Sequence, residues 1–252
     1  MIRRSLLKIL AAAAFIAYVP FASAATADTT VVLVHGAFAD GSSWNKIIPK
    51  LQARGLKVIS VQNPLTSLAD DVAAARRAID NAQGDVVLVG HSWGGTVITE
   101  AGNHDKVKAL VYVAAFAPSK GESSADQGKN YETPPGIGKL VADKAGFLSL
   151  PAEAVAADFA QDVSREEANL IAITQGPIRG ASFDDKVTAA AWETKPSWYV
   201  VASKDRMIQP AYESKTAEKI HAKVTTVASS HVPMLSHPKE VADAIIAAAT
   251  SH

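Results

Sequence analysis

Residues 86–95 read VVLVGHSWGG, and this stretch decides the fold. Its four leading apolar residues, 86–89, predict a strand that is buried on both faces. The pentapeptide GHSWG then places Ser92 on a tight turn between that strand and a helix. Such a turn forces the serine into strained backbone angles, and the two glycines of the pentapeptide carry no side chains that would collide there. The stretch therefore predicts a nucleophile elbow, which presents the Ser92 hydroxyl at the carboxyl edge of a parallel sheet.

An earlier predicted strand, 30–34, ends at the same edge in His35, Gly36 and Ala37. Acyl transfer requires two backbone N–H groups that point at the developing oxyanion. The elbow offers the amide of Trp93, the residue after the serine, and the loop after this strand offers the amide of Ala37. For the His35 side chain we expect a structural role, as a buried hydrogen-bonding residue.

Two further strand ends carry the side chains that a serine nucleophile needs. Asp205 follows a predicted strand at 197–202, and His231 follows another at 224–227. A histidine takes the proton of the serine, while a carboxylate fixes the tautomer of that histidine and stabilises the imidazolium. The sequence therefore predicts a catalytic triad in the chain order Ser92, Asp205, His231.

Each of the last two positions has an alternative. His237 competes with His231 for the role of base, but it stands beside Pro238 at a predicted helix start, where the helix dipole opposes protonation. We therefore favour His231. Glu122, which follows the preceding strand, is the alternative to Asp205 as the acid.

Strands alternate with helices along most of the chain. The predicted strands are 30–34, 57–61, 86–89, 109–115, 197–202 and 224–227, and the predicted helices are 44–54, 68–82, 93–103, 211–220 and 238–249. Alternation with apolar strands predicts an α/β fold, with a mostly parallel sheet of about six strands and helices on both faces.

The alternation breaks between about 121 and 192, where no strand is predicted. Helical stretches at 139–145, 152–160 and 164–173 fill a segment much longer than a βα connection of ~2–6 residues. We therefore expect an inserted helical cap over Ser92. The apolar side chains that either line a pocket or form the core of this cap are Phe147, Leu148, Phe159, Leu170 and Ile171. Three small residues in the cap favour a compact, apolar substrate. They are Ala154, Ala156 and Ala157.

Residues 1–24 have the pattern of an export signal. A basic start is followed by an uncharged apolar core at 9–19 and by a small-residue cleavage site at 22–24. Export predicts a periplasmic or secreted protein, by the Sec route or, because Arg3 and Arg4 are adjacent, by the twin-arginine route. Residues 25–252 are then one α/β domain, without stable membrane association after cleavage.

Composition narrows the classes of partner. The chain has 25 basic and 25 acidic residues, and three of the basic ones lie in the predicted signal, so nothing favours nucleic acid as a partner. There is no cysteine, and no spacing of His, Asp and Glu is typical of a metal site, so we expect neither metal nor cofactor. The oligomeric state is left open.

These motifs resemble the α/β-hydrolase superfamily. The resemblance rests on the segments 31–37, 90–95, 205–206 and 230–235, which lie at the expected strand ends. More narrowly, the chain is similar to the branch that contains small bacterial esterases, plant methyl-ester hydrolases such as the salicylate-binding protein, and hydroxynitrile lyases. The resemblance implies a serine hydrolase that cleaves small to medium carboxylic esters through an acyl-enzyme on Ser92.

The sequence differs from some members of this branch and of the superfamily at positions that bear on the expected reaction. Hydroxynitrile lyases of this type carry a threonine where this chain has Gly36 and a lysine where it has Val232, so lyase chemistry is disfavoured. Dehalogenases and epoxide hydrolases of the superfamily use an aspartate at the position of Ser92. A C–C bond hydrolase, an amidase or a perhydrolase with the same triad stays possible, as does a non-catalytic ligand-binding member of the fold.

Overall fold

The computed structural model of the protein describes residues 28–251. In chain order the strands of this part are β1 (Thr29–Val34), β2 (Lys57–Val61), β3 (Asp85–His91), β4 (Val107–Val113), β5 (Val141–Ala142), β6 (Phe147–Ser149), β7 (Ile178–Arg179), β8 (Ser197–Ala202) and β9 (Lys223–Val227). Six of them form a central sheet in the order β2-β1-β3-β4-β8-β9, in which every neighbouring pair is parallel. The predicted parallel sheet is confirmed.

Helices cover this sheet. They are α1 (Ile48–Gln52), α2 (Leu68–Asn81), α3 (Trp93–Ala101), α4 (Ser124–Gln127), α5 (Ala152–Ala154), α6 (Arg165–Thr174), α7 (Pro210–Lys219), α8 (Pro233–Ser236) and α9 (Pro238–Ala249). Helix α2 packs against α3, and helix α1 packs against α9. Every residue of β1 and β8 is buried, so both faces of the sheet are covered at these strands.

Most predicted bounds agree with the structure to within one or two residues, and β2, β8 and α9 have the predicted ends. The helix predicted over 44–54 is confirmed only in its second part, at Ile48–Gln52. A 3₁₀ turn over Gly41–Trp44 comes first, and the α-helix begins only at Ile48. Pro49 explains the break, because its ring clashes with the carbonyl of the residue four positions earlier and it has no N–H to donate.

The insertion at 121–192 is only partly helical. The structure confirms helices in its second half, with a π-helical turn at Val155–Phe159 and α6. The helix predicted over 139–145 is wrong, because β5, β6 and β7 form a small antiparallel sheet there. Asp143 accepts the backbone N–H groups of Ala145 and Phe147, and Gly146 takes a φ of 82°, which closes the turn between β5 and β6.

Within residues 28–251 no helix is long and apolar enough to cross a bilayer, and no cluster of His, Asp and Glu has the arrangement of a metal site. The predicted export signal, 1–24, lies outside the described residues.

Candidate active site

Ser92 lies on the turn between β3 and α3. Its backbone has φ 51° and ψ −120°, a strained conformation that residues with side chains rarely adopt. The glycines on either side are required by close packing, because a Cβ on Gly90 would lie 2.5 Å from the carbonyl oxygen of Gly94. A Cβ on Gly94 would lie 2.5 Å from the carbonyl oxygen of Val34. The elbow is therefore held in its strained form by the neighbouring backbone.

The structure brings Ser92, His231 and Asp205 together although they are far apart in sequence. The Oγ of Ser92 lies 2.8 Å from Nε2 of His231, and Nδ1 of His231 lies 2.5 Å from Oδ2 of Asp205. All three residues are buried. A proton on Nδ1 of His231 is held by the carboxylate, so Nε2 is free to accept the proton of the Ser92 hydroxyl.

The carboxylate of Asp205 is oriented by its own loop. Its Oδ1 accepts the backbone N–H groups of Met207 at 2.6 Å and Ile208 at 2.9 Å, which leaves Oδ2 directed at His231. Arg206 does not pair with Asp205. Its Nε donates instead to Asp158 of the cap, at 2.7 Å.

The loop after β1 approaches the elbow closely. A Cβ on Gly36 would lie 2.7 Å from Cβ of Ser92, so a threonine at this position would require the elbow to move. Among residues 28–251, neither the N–H of Ala37 nor that of Trp93 donates a hydrogen bond within the protein. Neither predicted oxyanion donor is therefore engaged by another group of the described chain, as that role requires.

His35 has the structural role that the sequence predicts. It is buried, its Nδ1–H donates to the carbonyl oxygen of Gly36 at 2.8 Å, and its Nε2 accepts the N–H of Asn63 at 2.9 Å. Burial lowers the pKa of His35 below its ordinary value, so the ring is neutral. It fixes the loop that carries Ala37.

His91, the residue before the serine, supports the main chain of His231. Its Nε2–H donates to the carbonyl oxygen of His231 at 2.8 Å. Burial lowers the pKa of His91 well below its ordinary value, and the neighbouring His231 lowers it further. His91 is thus a neutral donor. The ring of Phe159, from the cap, packs edge-on against His231 with the ring centroids 5.2 Å apart.

Trp93 is anchored by a buried carboxyl group. Its Nε1–H donates to Oδ2 of Asp71 at 2.7 Å, and the N–H of Leu65 donates to Oδ1 of Asp71 at 2.8 Å. Burial raises the pKa of Asp71 to about 6, against the effect of these two hydrogen bonds. Asp71 thus holds the indole of Trp93, the residue whose amide is the predicted oxyanion donor of the elbow.

The cap is tied to the loops that carry Asp205 and His231 by a short segment, 158–162. Asp158 is fully buried and accepts hydrogen bonds from Arg206 and, at 2.6 Å, from Lys139. Burial opposes ionisation of Asp158, but these two cations outweigh it and lower the pKa of the carboxyl group. Asp162 accepts the N–H of Ser230, the residue before His231, at 2.8 Å.

A cavity of about 350 Å³ opens onto Ser92 and His231. Its walls are mainly aromatic and aliphatic, with two charged side chains, Lys129 and Glu132. The apolar walls include Phe38, Phe116, Tyr131, Ile137, Leu140, Phe183, Met207, Ile208 and Tyr212.

Of the two alternatives for the five apolar cap residues, the pocket wall is excluded, since none of the five lines this cavity. Phe159 is buried against His231, as expected for cap core, whereas Leu170 is exposed on the surface. The three cap alanines do not line the cavity either, namely Ala154, Ala156 and Ala157. The cavity walls come from the turn-rich segment 128–140 and from the loop after Asp205. Apolar periodicity reports which residues are buried, but it does not distinguish a cavity wall from packed core.

Sequence reasoning missed two supporting residues. Asp71 occupies the apolar stripe of α2 that includes Leu68 and Val72, and a carboxyl group on such a stripe is a signal of a buried partner. His91 lies between a buried strand and the serine, which is itself a sign of burial. His237, the alternative base, contacts the hydroxyl of Ser236 at 2.9 Å and makes no hydrogen bond to the triad in the described part of the chain.

Comparison with known proteins shows the family of the chain. A family model described as the alpha/beta hydrolase family matches residues 31–244. A probable hydrolase, R7, from a Phoma species is 27% identical over 242 residues, which cover 85% of this chain and 96% of that protein. A pyrethroid hydrolase from Sphingobium wenxiniae is 24% identical over 262 residues, with 86% of each chain covered.

Solved structures share the fold. A pyrethroid hydrolase from Sphingobium faniae superimposes with a TM-score of 0.76 at 22% sequence identity, covering 88% of this chain and 98% of that one. At this identity the likeness shows the fold alone.

Proposed function

We propose that this chain, which belongs to the alpha/beta hydrolase family, is a serine hydrolase that cleaves small to medium carboxylic esters. Its relatives are named as hydrolases, which makes it a hydrolase of this fold. The finer proposal rests on one observation, the continuous hydrogen-bonded chain from Ser92 Oγ through His231 to Asp205 at the floor of an apolar cavity.

In the acylation step Oγ of Ser92 attacks the ester carbonyl carbon, and His231 Nε2 takes the hydroxyl proton. The carbonyl π electrons move to the oxygen, which becomes an oxyanion between the N–H groups of Ala37 and Trp93. His231 then gives its proton to the departing alkoxide as the C–O bond breaks. The alcohol leaves, and the acid part stays bound to Ser92 as an ester.

In the deacylation step His231 takes a proton from water, and the resulting hydroxide attacks the acyl-enzyme. The same two amides hold the second oxyanion. Its collapse releases the acid and returns the proton to Ser92. Asp205 stays ionised in both steps, because its role is to orient and stabilise the protonated ring of His231.

The cavity favours a compact, apolar substrate. Its walls offer aromatic faces, such as Phe116, Phe183 and Tyr212, to an apolar acid or alcohol group. Its volume of about 350 Å³ falls at the lower end of the range for small-molecule sites. The pyrethroid hydrolases among the relatives carry a name that fits such a substrate.

A burst assay tests the proposal. The mature chain should release p-nitrophenol from short- and medium-chain p-nitrophenyl esters in a rapid first turnover followed by a slower steady state. Ser92→Ala should abolish both phases while leaving the circular dichroism spectrum unchanged. Turnover near the wild-type rate in Ser92→Ala would refute the assignment of the nucleophile.

The base is tested by a matched pair of histidine variants. His231→Ala should abolish turnover, because among residues 28–251 the side chain of Ser92 makes a hydrogen bond only to His231. His237→Ala should keep turnover near wild type, because the side chain of His237 makes a hydrogen bond only to Ser236 in the described part of the chain. Equal losses in the two variants would leave the choice of His231 unsupported.

We also propose that residues 1–24 direct export to the periplasm or the medium, by the Sec or the twin-arginine route. Support comes from the basic start, the apolar core and the small-residue site at 22–24. Mass spectrometry of the exported protein should find Ala25 at its amino terminus. An uncleaved chain confined to the cytosol would contradict this proposal.

A further inference from the structure

Glu213, a residue to which the proposed mechanism gives no role, is completely buried near the triad. It lies in the first turn of α7, and none of its surface is exposed. Its Oε2 accepts the backbone N–H of Ala202, the last residue of β8, at 2.8 Å. The loop that begins there carries Asp205, so Glu213 packs behind the catalytic carboxylate.

The second oxygen of Glu213, Oε1, is buried and has no hydrogen-bond partner within residues 28–251. The carboxyl group of Asp205 is close enough to interact with that of Glu213. Burial raises the pKa of Glu213 well above its ordinary value, and the negative charge of Asp205 raises it further. Two ionised carboxylates in contact inside a protein repel each other strongly, so one proton is shared between them.

Within residues 28–251 no basic side chain pairs with Glu213 to relieve this repulsion. The titratable groups around Glu213 are Asp205 from the loop after β8, Tyr199 from β8 and Tyr212 from α7 itself, with His231 beyond Asp205. In the described part of the chain Glu213 forms no ion pair with lysine, arginine or histidine. Neutralisation by a proton is the remaining way to bury the group.

The hydrogen bonds decide which of the two carboxyl groups holds the proton. Asp205 accepts three donors, namely the N–H groups of Met207 and Ile208 and Nδ1 of His231. Glu213 accepts only the N–H of Ala202. Donors stabilise the charged form of an acid, so the negative charge resides on Asp205.

We propose that Glu213 is a protonated carboxylic acid whose Oε1–H donates a hydrogen bond to the carboxylate of Asp205 and thereby positions it for His231. With the hydrogen bond from Glu213, Asp205 accepts from four donors, which fills the acceptor capacity of its two carboxylate oxygens. Glu213 is a positioning residue, because it acts on the substrate only through Asp205 and His231.

The protonation state can be measured without any substrate. At neutral pH the infrared difference spectrum of wild type minus Glu213→Gln should contain the carbonyl stretch of a protonated carboxylic acid. If the difference spectrum instead contains only the bands of an ionised carboxylate, the proposal is overturned. This measurement is independent of whether the protein hydrolyses esters.

The positioning role rests on the proposed function and is tested by kinetics. Glu213→Gln keeps a neutral donor to Asp205 and an acceptor for Ala202, so kcat should stay within about threefold of wild type. Glu213→Leu removes the donor, and kcat should fall roughly 10-fold or more while KM changes little. A wild-type kcat in Glu213→Leu would overturn the positioning role.

The pH profile separates the proposed neutral acid from an anion at Glu213. If Glu213 is neutral, its exchange for glutamine changes no charge, so the acid limb of kcat/KM should not move. If Glu213 were an anion, the exchange would remove a negative charge beside the Asp205–His231 pair. The acid limb would then shift to lower pH by about one unit, which would overturn the proposal. Failure of the ester-hydrolysis proposal would abolish turnover in the wild type but leave the infrared result intact.

Discussion

The central sheet and the cap contribute to the same site by different physical means. Sheet strands bring Ser92, Asp205 and His231 to one edge, and backbone N–H groups of its own loop orient Asp205. The cap segment 158–162 reaches those loops through charged and polar side chains. The core therefore defines where the reacting groups stand, and the cap restrains the loops that carry them.

The largest effect is expected in the core. Asp205→Asn should lower kcat by about 10⁴-fold, because an amide at this position favours the wrong tautomer of His231. Steady-state kinetics with a p-nitrophenyl ester provide the measurement. Glu122→Gln is the control, and a loss of this size in Glu122→Gln instead would make Glu122 the acid.

A smaller effect is expected when the cap is released from the catalytic loop. Asp158→Ala removes the acceptor of Arg206 and Lys139, so the loop of Asp205 loses a restraint and kcat should fall roughly 10-fold. Asp143→Ala is the matched control, because it weakens the turn between β5 and β6 without contacting a catalytic loop. Equal losses in both variants would mean that general loosening of the cap, rather than the tie to Arg206, controls the rate.

Cavity walls should affect substrate binding more than the chemical step. Phe183→Ala enlarges the cavity and removes an aromatic wall, so KM for an aromatic ester should rise by about 5-fold to 20-fold, with a smaller change in kcat. Leu170→Ala changes an exposed side chain of the cap and should leave both constants near wild type. A KM that rises in Leu170→Ala and not in Phe183→Ala would contradict the position of the cavity.

The smallest effect on turnover, and a clear effect on stability, is expected at Asp71. Its pKa is raised to about 6 in the folded protein, chiefly by burial, so folding favours its protonated form. The resulting stabilisation is complete below the unfolded value near 4 and is lost as the pH rises through about 6. Between pH 4 and pH 8 the loss is on the order of 3 kcal/mol.

Urea unfolding of the wild type and of Asp71→Asn, followed by tryptophan fluorescence, measures this effect. The difference in unfolding free energy between the two proteins should decrease as the pH rises from 4 to 8, because asparagine does not titrate. A difference that stays constant across this range would show that burial does not shift the protonation of Asp71.

The core was predictable because its signals are local and repeated. Runs of four to seven residues followed by loops predicted the strands to within one or two residues, and the ends of these strands predicted where Ser92, Asp205 and His231 meet. The fold of the cap was not predictable from the sequence, because its strands are two or three residues long and show no detectable apolar period. The apolar side chains of the cap predicted burial but not what they are buried against. For Leu170 even the burial is wrong, because its side chain is exposed.

By itself the sequence determined the α/β class, the elbow at Ser92 and the order of the triad, because glycine spacing and strand ends are properties of short segments. Only the tertiary structure decided that Asp158 pairs with Arg206, that Asp71 holds Trp93, and that Glu213 lies against Asp205. Each of these contacts joins residues from different elements. Their energies depend on burial and distance, which no single segment of sequence encodes.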